Sequence, residues 1–271
     1  MKTVQRRTAI KALAALALGA FCSLALAAQV AGTVVSLSGP LMAKKGDGTV
    51  KLLAIKSEVE QGDTLVSEKN TFAQIRFVDN SEMMLKPNTT FKIETFAYDA
   101  GKPEGDSASF NLVKGGLRSI TGLLGKRNKE KFQLKTPTAT IGIRGTTFTA
   151  DYIAPSEEQM AAAREAWLFA STAGAGAGAA IGPPPGKPGS GPPNLAPGLY
   201  VHVIDGAINV SNPAGAQVFT VGQFGFTSSF TQPPVALPND PGLQFTPPPS
   251  FSNTNENGGG DKSDAIDCEV R

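Results

Sequence analysis

From Val30 to about Ile153 the chain alternates apolar and polar residues in short stretches broken by turn residues. Ala73, Ile75 and Phe77 fall on one face of an extended segment, and Gln74 and Arg76 fall on the other. Asp79-Asn80-Ser81 then supplies a turn before Met83 to Leu85, which predicts a hairpin. Phe91 and Ile93 repeat the alternation against Lys92 and Glu94, and Phe132 with Leu134 repeats it before Pro137. A period of two without a convincing amphipathic helix predicts an all-β fold.

The pattern changes after Ile153. Residues Glu157 to Phe169 are rich in Ala and Glu and follow Ser156, an expected N-cap, so a short helix is predicted there. Ser171 to Gly198 is almost entirely Ala, Gly and Pro, too poor in apolar area to offset the entropy of ordering it. Strand signals resume at Tyr200 to Ile204, Ala207 to Val210 and Gln217 to Val221, separated by Asp205-Gly206 and Asn212-Pro213 turns. The expected organisation is a β domain over 28–154, a flexible Gly/Pro insertion over 155–198, closing strands over 199–230 and a disordered tail over 231–271. No internal repeat is exact, but the recurring short strands suit an antiparallel, solenoid-like, double-layered sheet.

The N-terminus changes the compartment. Lys2, Arg6, Arg7 and Lys11 precede an Ala/Leu-rich run that ends in Ala25-Leu26-Ala27, the layout of a signal peptide over 1–27. The competing reading is an uncleaved anchor, since the run falls only slightly short of the roughly 20 residues a spanning helix needs. Arg6-Arg7 is a weak match to a twin-arginine signal, and ordinary secretion is the simpler route. Phe21 before Cys22 argues against a lipid-attachment box, so Cys22 is expected to leave with the leader, with no stable membrane span afterwards.

Loss of the leader leaves 21 basic against 23 acidic residues, a net charge of −2. A near-neutral surface offers no electrostatic footprint for nucleic acid, and the basic run 114–131 reads as a solvated charged turn. Cys268 then stands alone, so no intrachain disulfide forms and stability must come from packing.

Candidate chemistry is sparse. His202 is the only histidine, on a strand face with Tyr200 and Ile204, and no nucleophile or orienting carboxylate is evident beside it in sequence. One His and one Cys cannot supply a zinc site. Asp47, Asp63 and Asp79 lie in separate turns without calcium-loop spacing, where local backbone capping explains them. No cofactor motif is present, and no cofactor is expected. A distant carboxylate pair of glycosidase type needs no local signature, and it stands as a minor alternative.

The stretch TPTATIGIRGTTFTADY, residues 136 to 152, resembles the signature of the FecR periplasmic domain. GTVVSLSGP (32–40), QGDTLVSEKNTFAQIRFVDNSEMMLKPNTTFKI (61–93) and FNLVKGGLRSITG (110–122) support it upstream; YVHVIDGAINVSN and VFTVGQFGFT support it downstream. The resemblance covers about residues 30 to 228 apart from the insertion. Within the signature, Thr136, Pro137, Arg144, Gly145 and Thr146 are expected to be structural: Gly145 permits positive φ, and the Arg144 guanidinium can satisfy turn carbonyls or a carboxylate.

Family members that relay a signal to a cytoplasmic sigma factor use an N-terminal cytoplasmic domain and one membrane span. The 11 residues before the apolar run here are too few for such a domain. The resemblance therefore implies a non-enzymatic, extracytoplasmic module that binds, senses or assembles in the bacterial envelope. Its expected partner is an envelope protein or a cell-wall polysaccharide. A structural or adhesive surface protein is the alternative.

Overall fold

The computed structural model describes residues 29–172, 195–243, 245–249 and 251. The expected leader with Cys22, most of the Ala/Gly/Pro insertion and the end of the tail with Cys268 lie outside the described residues.

The chain is all-β, as its alternation predicts. Among the described residues seventeen strands run in chain order: β1 (Val30–Leu37), β2 (Leu41–Lys44), β3 (Val50–Leu53), β4 (Glu58–Glu60), β5 (Thr64–Ser67), β6 (Ala73–Phe77), β7 (Glu82–Leu85) and β8 (Thr90–Ala97) come first. The long β9 (Ser107–Ile120) is followed by β10 (Phe132–Lys135), β11 (Thr140–Ile143), β12 (Thr147–Ile153), β13 (Gly198–Asp205), β14 (Ala207–Asn212), β15 (Gly215–Thr220), β16 (Phe224–Thr227) and β17 (Val235–Leu237).

Pairing sorts the strands into two layers that share β9. One layer runs β4-β1-β6-β7-β9-β12-β13-β16-β17, and the other runs β3-β2-β5-β8-β9-β10-β11-β14-β15. Among the described strands β9 and β10 pair in parallel and the other pairs are antiparallel. The N-terminal half of β9 pairs with β8 and β10, and its C-terminal half pairs with β7 and β12. Gly115, at φ +86, lies where β9 passes between layers; a Cβ there would sit 2.6 Å from the Thr89 Cα.

The inward faces of both layers form one core. Phe110 occupies its aromatic centre, with ring centroids 5.2 Å from Phe77, 5.4 Å from Phe91 and 5.6 Å from Phe132. The predicted hairpin is β6–β7. Ala73, Ile75 and Phe77 point inward, and the Ser81 backbone N–H donates to Asp79 Oδ1 at 3.0 Å in the connecting turn.

Helix α1 (Leu123–Arg127) and a 3₁₀ turn at Lys129–Lys131 occupy much of the run read as a solvated charged turn. Asp79 starts this helix from a distance, accepting from the Leu123 N–H through its carbonyl at 2.8 Å and from the Leu124 N–H through Oδ2 at 3.2 Å. Helix α2 (Glu157–Thr172) follows the expected N-cap. Ser156 Oγ accepts from the Gln159 N–H at 3.2 Å while Gln159 Oε1 accepts from the Ser156 N–H at 2.8 Å, a reciprocal capping box. Among the described residues no helix is long and apolar enough to cross a membrane.

The segment after Thr231, read from composition as disordered, is ordered through much of its first half. β17 pairs with β16, and Phe251 is buried. Sparse aromatic anchors hold it: Phe245 and Phe251 pack edge-on to Phe72 at 6.4 and 6.3 Å.

Candidate functional site

The signature residues gather at two turns of the β10–β11–β12 region. Thr136 Oγ1 donates to the Ala139 carbonyl at 2.8 Å and accepts from the Ala139 N–H at 3.1 Å, closing the turn that Pro137 begins. Gly145 has φ +67. Thr146 is buried; its Oγ1 donates to the Ala207 carbonyl at 2.6 Å and accepts from the Arg144 N–H at 3.2 Å. Thr121 completes the lock, donating to the Thr146 carbonyl at 2.7 Å and accepting from its N–H at 2.9 Å. Backbone and hydroxyls thus satisfy this turn without the Arg144 guanidinium. That side chain is exposed and has no partner among the described residues.

Arg144 borders a depression of about 470 Å³ on the outer face of the β8–β9–β10–β11–β14 layer. Gln133, Gly142 and Asn209 stand in one cross-strand row, with Thr140 and Ser211 in the next. Gly142 leaves the floor open, because a Cβ there would meet only the Asn209 carbonyl at 3.9 Å. Along the same face Lys135 Nζ donates to Glu94 Oε2 at 2.7 Å, and Ser109 and Asn111 also donate to that carboxylate. The Lys135 hydrogen bond, with those from Ser109 and Asn111, holds Glu94 below the usual carboxylate range.

The opposite layer presents a different surface. Gln74, Met84, Arg118, Thr149, His202, Phe224 and Leu237 form one continuous row across β6, β7, β9, β12, β13, β16 and β17. The described residues of 238–251 return across this face. Lys86 Nζ pairs with Asp151 Oδ1 at 2.7 Å and lies 5.4 Å from the Phe245 ring centroid. Burial pushes the Asp151 carboxyl up, and Lys86 opposes that shift. His202 stacks on Phe224 at 4.2 Å; burial pushes its imidazole down, and Asp240 on the returning segment pulls it partly back.

The sequence reading did not single out Gln74, Lys86, Arg118 or Asp151 as a group. Strand register alone brings them together. Asp47, Asp63 and Asp79 remain in separate turns, accepting backbone N–H groups at 2.8 to 3.0 Å from Thr49, Glu60 and Ser81. Among the described residues no three His, Cys, Asp or Glu side chains cluster as metal ligands.

Residues 63–162 match the family described as FecR protein. Two crystal structures of a candidate anti-sigma factor from Parabacteroides distasonis, at 1.65 and 2.50 Å resolution, are each 12% identical to this chain with a TM-score of 0.40. Each alignment covers 65% of this chain and 60% of the other, so the chain spans about 60% of the length of that protein. No curated protein sequence matches the chain. The segment that matches the FecR family, residues 63–162, includes β5 to β12, and strands on either side of it extend the two layers.

Proposed function

We propose that the protein is an exported, non-catalytic FecR module that senses or assembles in the bacterial envelope by binding a cell-wall polysaccharide at the depression beside Arg144. The observation that carries this reading is the exposed guanidinium, without a partner among the described residues, at the edge of a cavity lined by hydroxyls and amides together with Lys129 and Glu130. Gln133, Thr140, Asn209 and Ser211 offer donors and acceptors at strand spacing, the complement of a hydroxyl-rich chain. An envelope protein is the less fitting partner. Protein interfaces centre on apolar and aromatic anchors, whereas Phe132 and Ile143 at this depression are themselves buried in the core.

Co-sedimentation with purified peptidoglycan sacculi tests the reading. The purified protein should pellet with sacculi, and Arg144→Ala combined with Asn209→Ala should leave it in the supernatant while preserving the β-sheet circular dichroism. Failure of the parent protein to pellet, or equal pelleting of the folded double variant, removes the polysaccharide site.

A further inference from the structure

The outer face of the layer containing β6, β7 and β9 carries buried polar groups that its own cover leaves unsatisfied. Gln74 is 4% exposed; its Nε2 donates to Glu82 at 2.8 Å, but its Oε1 has no hydrogen-bond partner. Arg118, two strands away in the same row, has a buried Nε without an acceptor. Both line a cavity of about 240 Å³ with Glu82, Met84 and Ile120, and Pro247 and Phe251 complete its lining. Leaving such groups unpaired costs about 1–3 kcal/mol each, so the arrangement calls for an occupant.

An acceptor on Gln74 and a donor on Arg118 complement the N–H and C=O of an extended peptide. The segment now seated there cannot supply the first, because residues 247–249 are all proline. Three of its backbone N–H groups bond within the segment: those of Gly242 and Leu243 donate to Asp240 Oδ1, and that of Phe251 donates to the Pro248 carbonyl. Among its contacts with the sheet, Phe245 and Phe251 pack against Phe72, and Phe245 lies under Lys86.

We propose that this face is a docking groove for an extended, apolar segment of a partner protein that carries an aromatic anchor and free peptide N–H groups, and that residues 238–251 are its weaker internal competitor. The groove lies on the layer opposite the Arg144 depression, and the inference stands independently of the polysaccharide reading.

Fluorescence anisotropy on the full chain tests it. Phe245→Ala with Phe251→Ala weakens the internal segment. The probes are two fluorescein-labelled peptides: residues 238–251 as they stand, and the same peptide with alanine at positions 247–249. The double variant should bind the alanine peptide about tenfold more tightly than the native-sequence peptide, the factor that one recovered hydrogen bond contributes. Adding Gln74→Met should bring the two affinities together. Equal affinities before that change, an unaltered ratio after it, or no binding of either peptide would overturn the proposal.

Discussion

Lys86 and Asp151 form their 2.7 Å ion pair across the top of Gly116, on the strand that separates them. A Cβ on Gly116 would lie 2.1 Å from Asp151 Oδ1 and 2.9 Å from Lys86 Cδ. The missing side chain is therefore what lets two non-adjacent strands exchange charge above β9. The pair is largely shielded from solvent and sits beneath the returning C-terminal segment.

Removing the cation should be worse than removing the anion. Lys86→Met leaves a buried, unpaired carboxylate and is expected to cost about 3–5 kcal/mol near neutral pH. The folded state raises the Asp151 pKa, so it binds that proton more tightly than the unfolded chain does. Its contribution to stability is fully present below the ordinary carboxylate range and is lost as pH rises through the folded value. The Lys86→Met deficit should thus shrink in acid, whereas Asp151→Asn should show a smaller, flatter loss. Urea unfolding of both variants across pH checks the sign.

Gly116→Ala should destabilise by about 1–3 kcal/mol, the usual cost of forcing extra volume into a packed site. Urea unfolding, with Gly46→Ala as a control in open space, separates crowding from a general loss of chain freedom. Equal effects at both positions would count against the bridge.

His202 predicts acid sensitivity of a defined kind. Its pKa is lowered by burial, so the unfolded chain takes up the proton first as pH falls. The stability it confers is present above the ordinary imidazole range and is lost through that range toward the folded value. His202→Phe should flatten this slope. Because the chain has one histidine, its imidazole resonance can be followed directly; titration at or above the ordinary value would contradict the burial argument.

Phe110→Ala should cost about 3–5 kcal/mol, because the ring contacts Phe77, Phe91, Phe96 and Phe132 at the junction of the two layers. Thr146→Val should cost about 0.5–1.5 kcal/mol by removing the hydroxyl's bonds to the Ala207 carbonyl and the Arg144 N–H, which keep their own 3.0 Å bond to each other. Unfolding midpoints measured together should rank Phe110→Ala as the more damaging.

Local rules made much of the scaffold legible. The β6–β7 hairpin follows from period-two alternation and an Asp-Asn-Ser turn, and helix α2 follows from Ser156 and an Ala/Glu run, because each signal lies within a few residues of its effect. Helix α1 was read instead as a charged turn because its start is stabilised by Asp79, 45 residues away from Leu124. The ordered part of the tail was hidden by its composition: Phe245 and Phe251 anchor a Pro-rich segment only because Phe72 is presented to them by the folded sheet. Likewise, Lys86 and Asp151 meet through strand register across β9, which no spacing in the chain records.

Export is the central claim, because the cell-wall polysaccharide proposed for the Arg144 depression lies outside the cytoplasm. The most direct measurement is the intact mass of the protein recovered from separate cell fractions of a Gram-negative host. The account predicts an extracytoplasmic product beginning near Ala28 or Gln29, with Cys22 gone and Cys268 retained. Full-length protein retained in the soluble cytoplasm would contradict it.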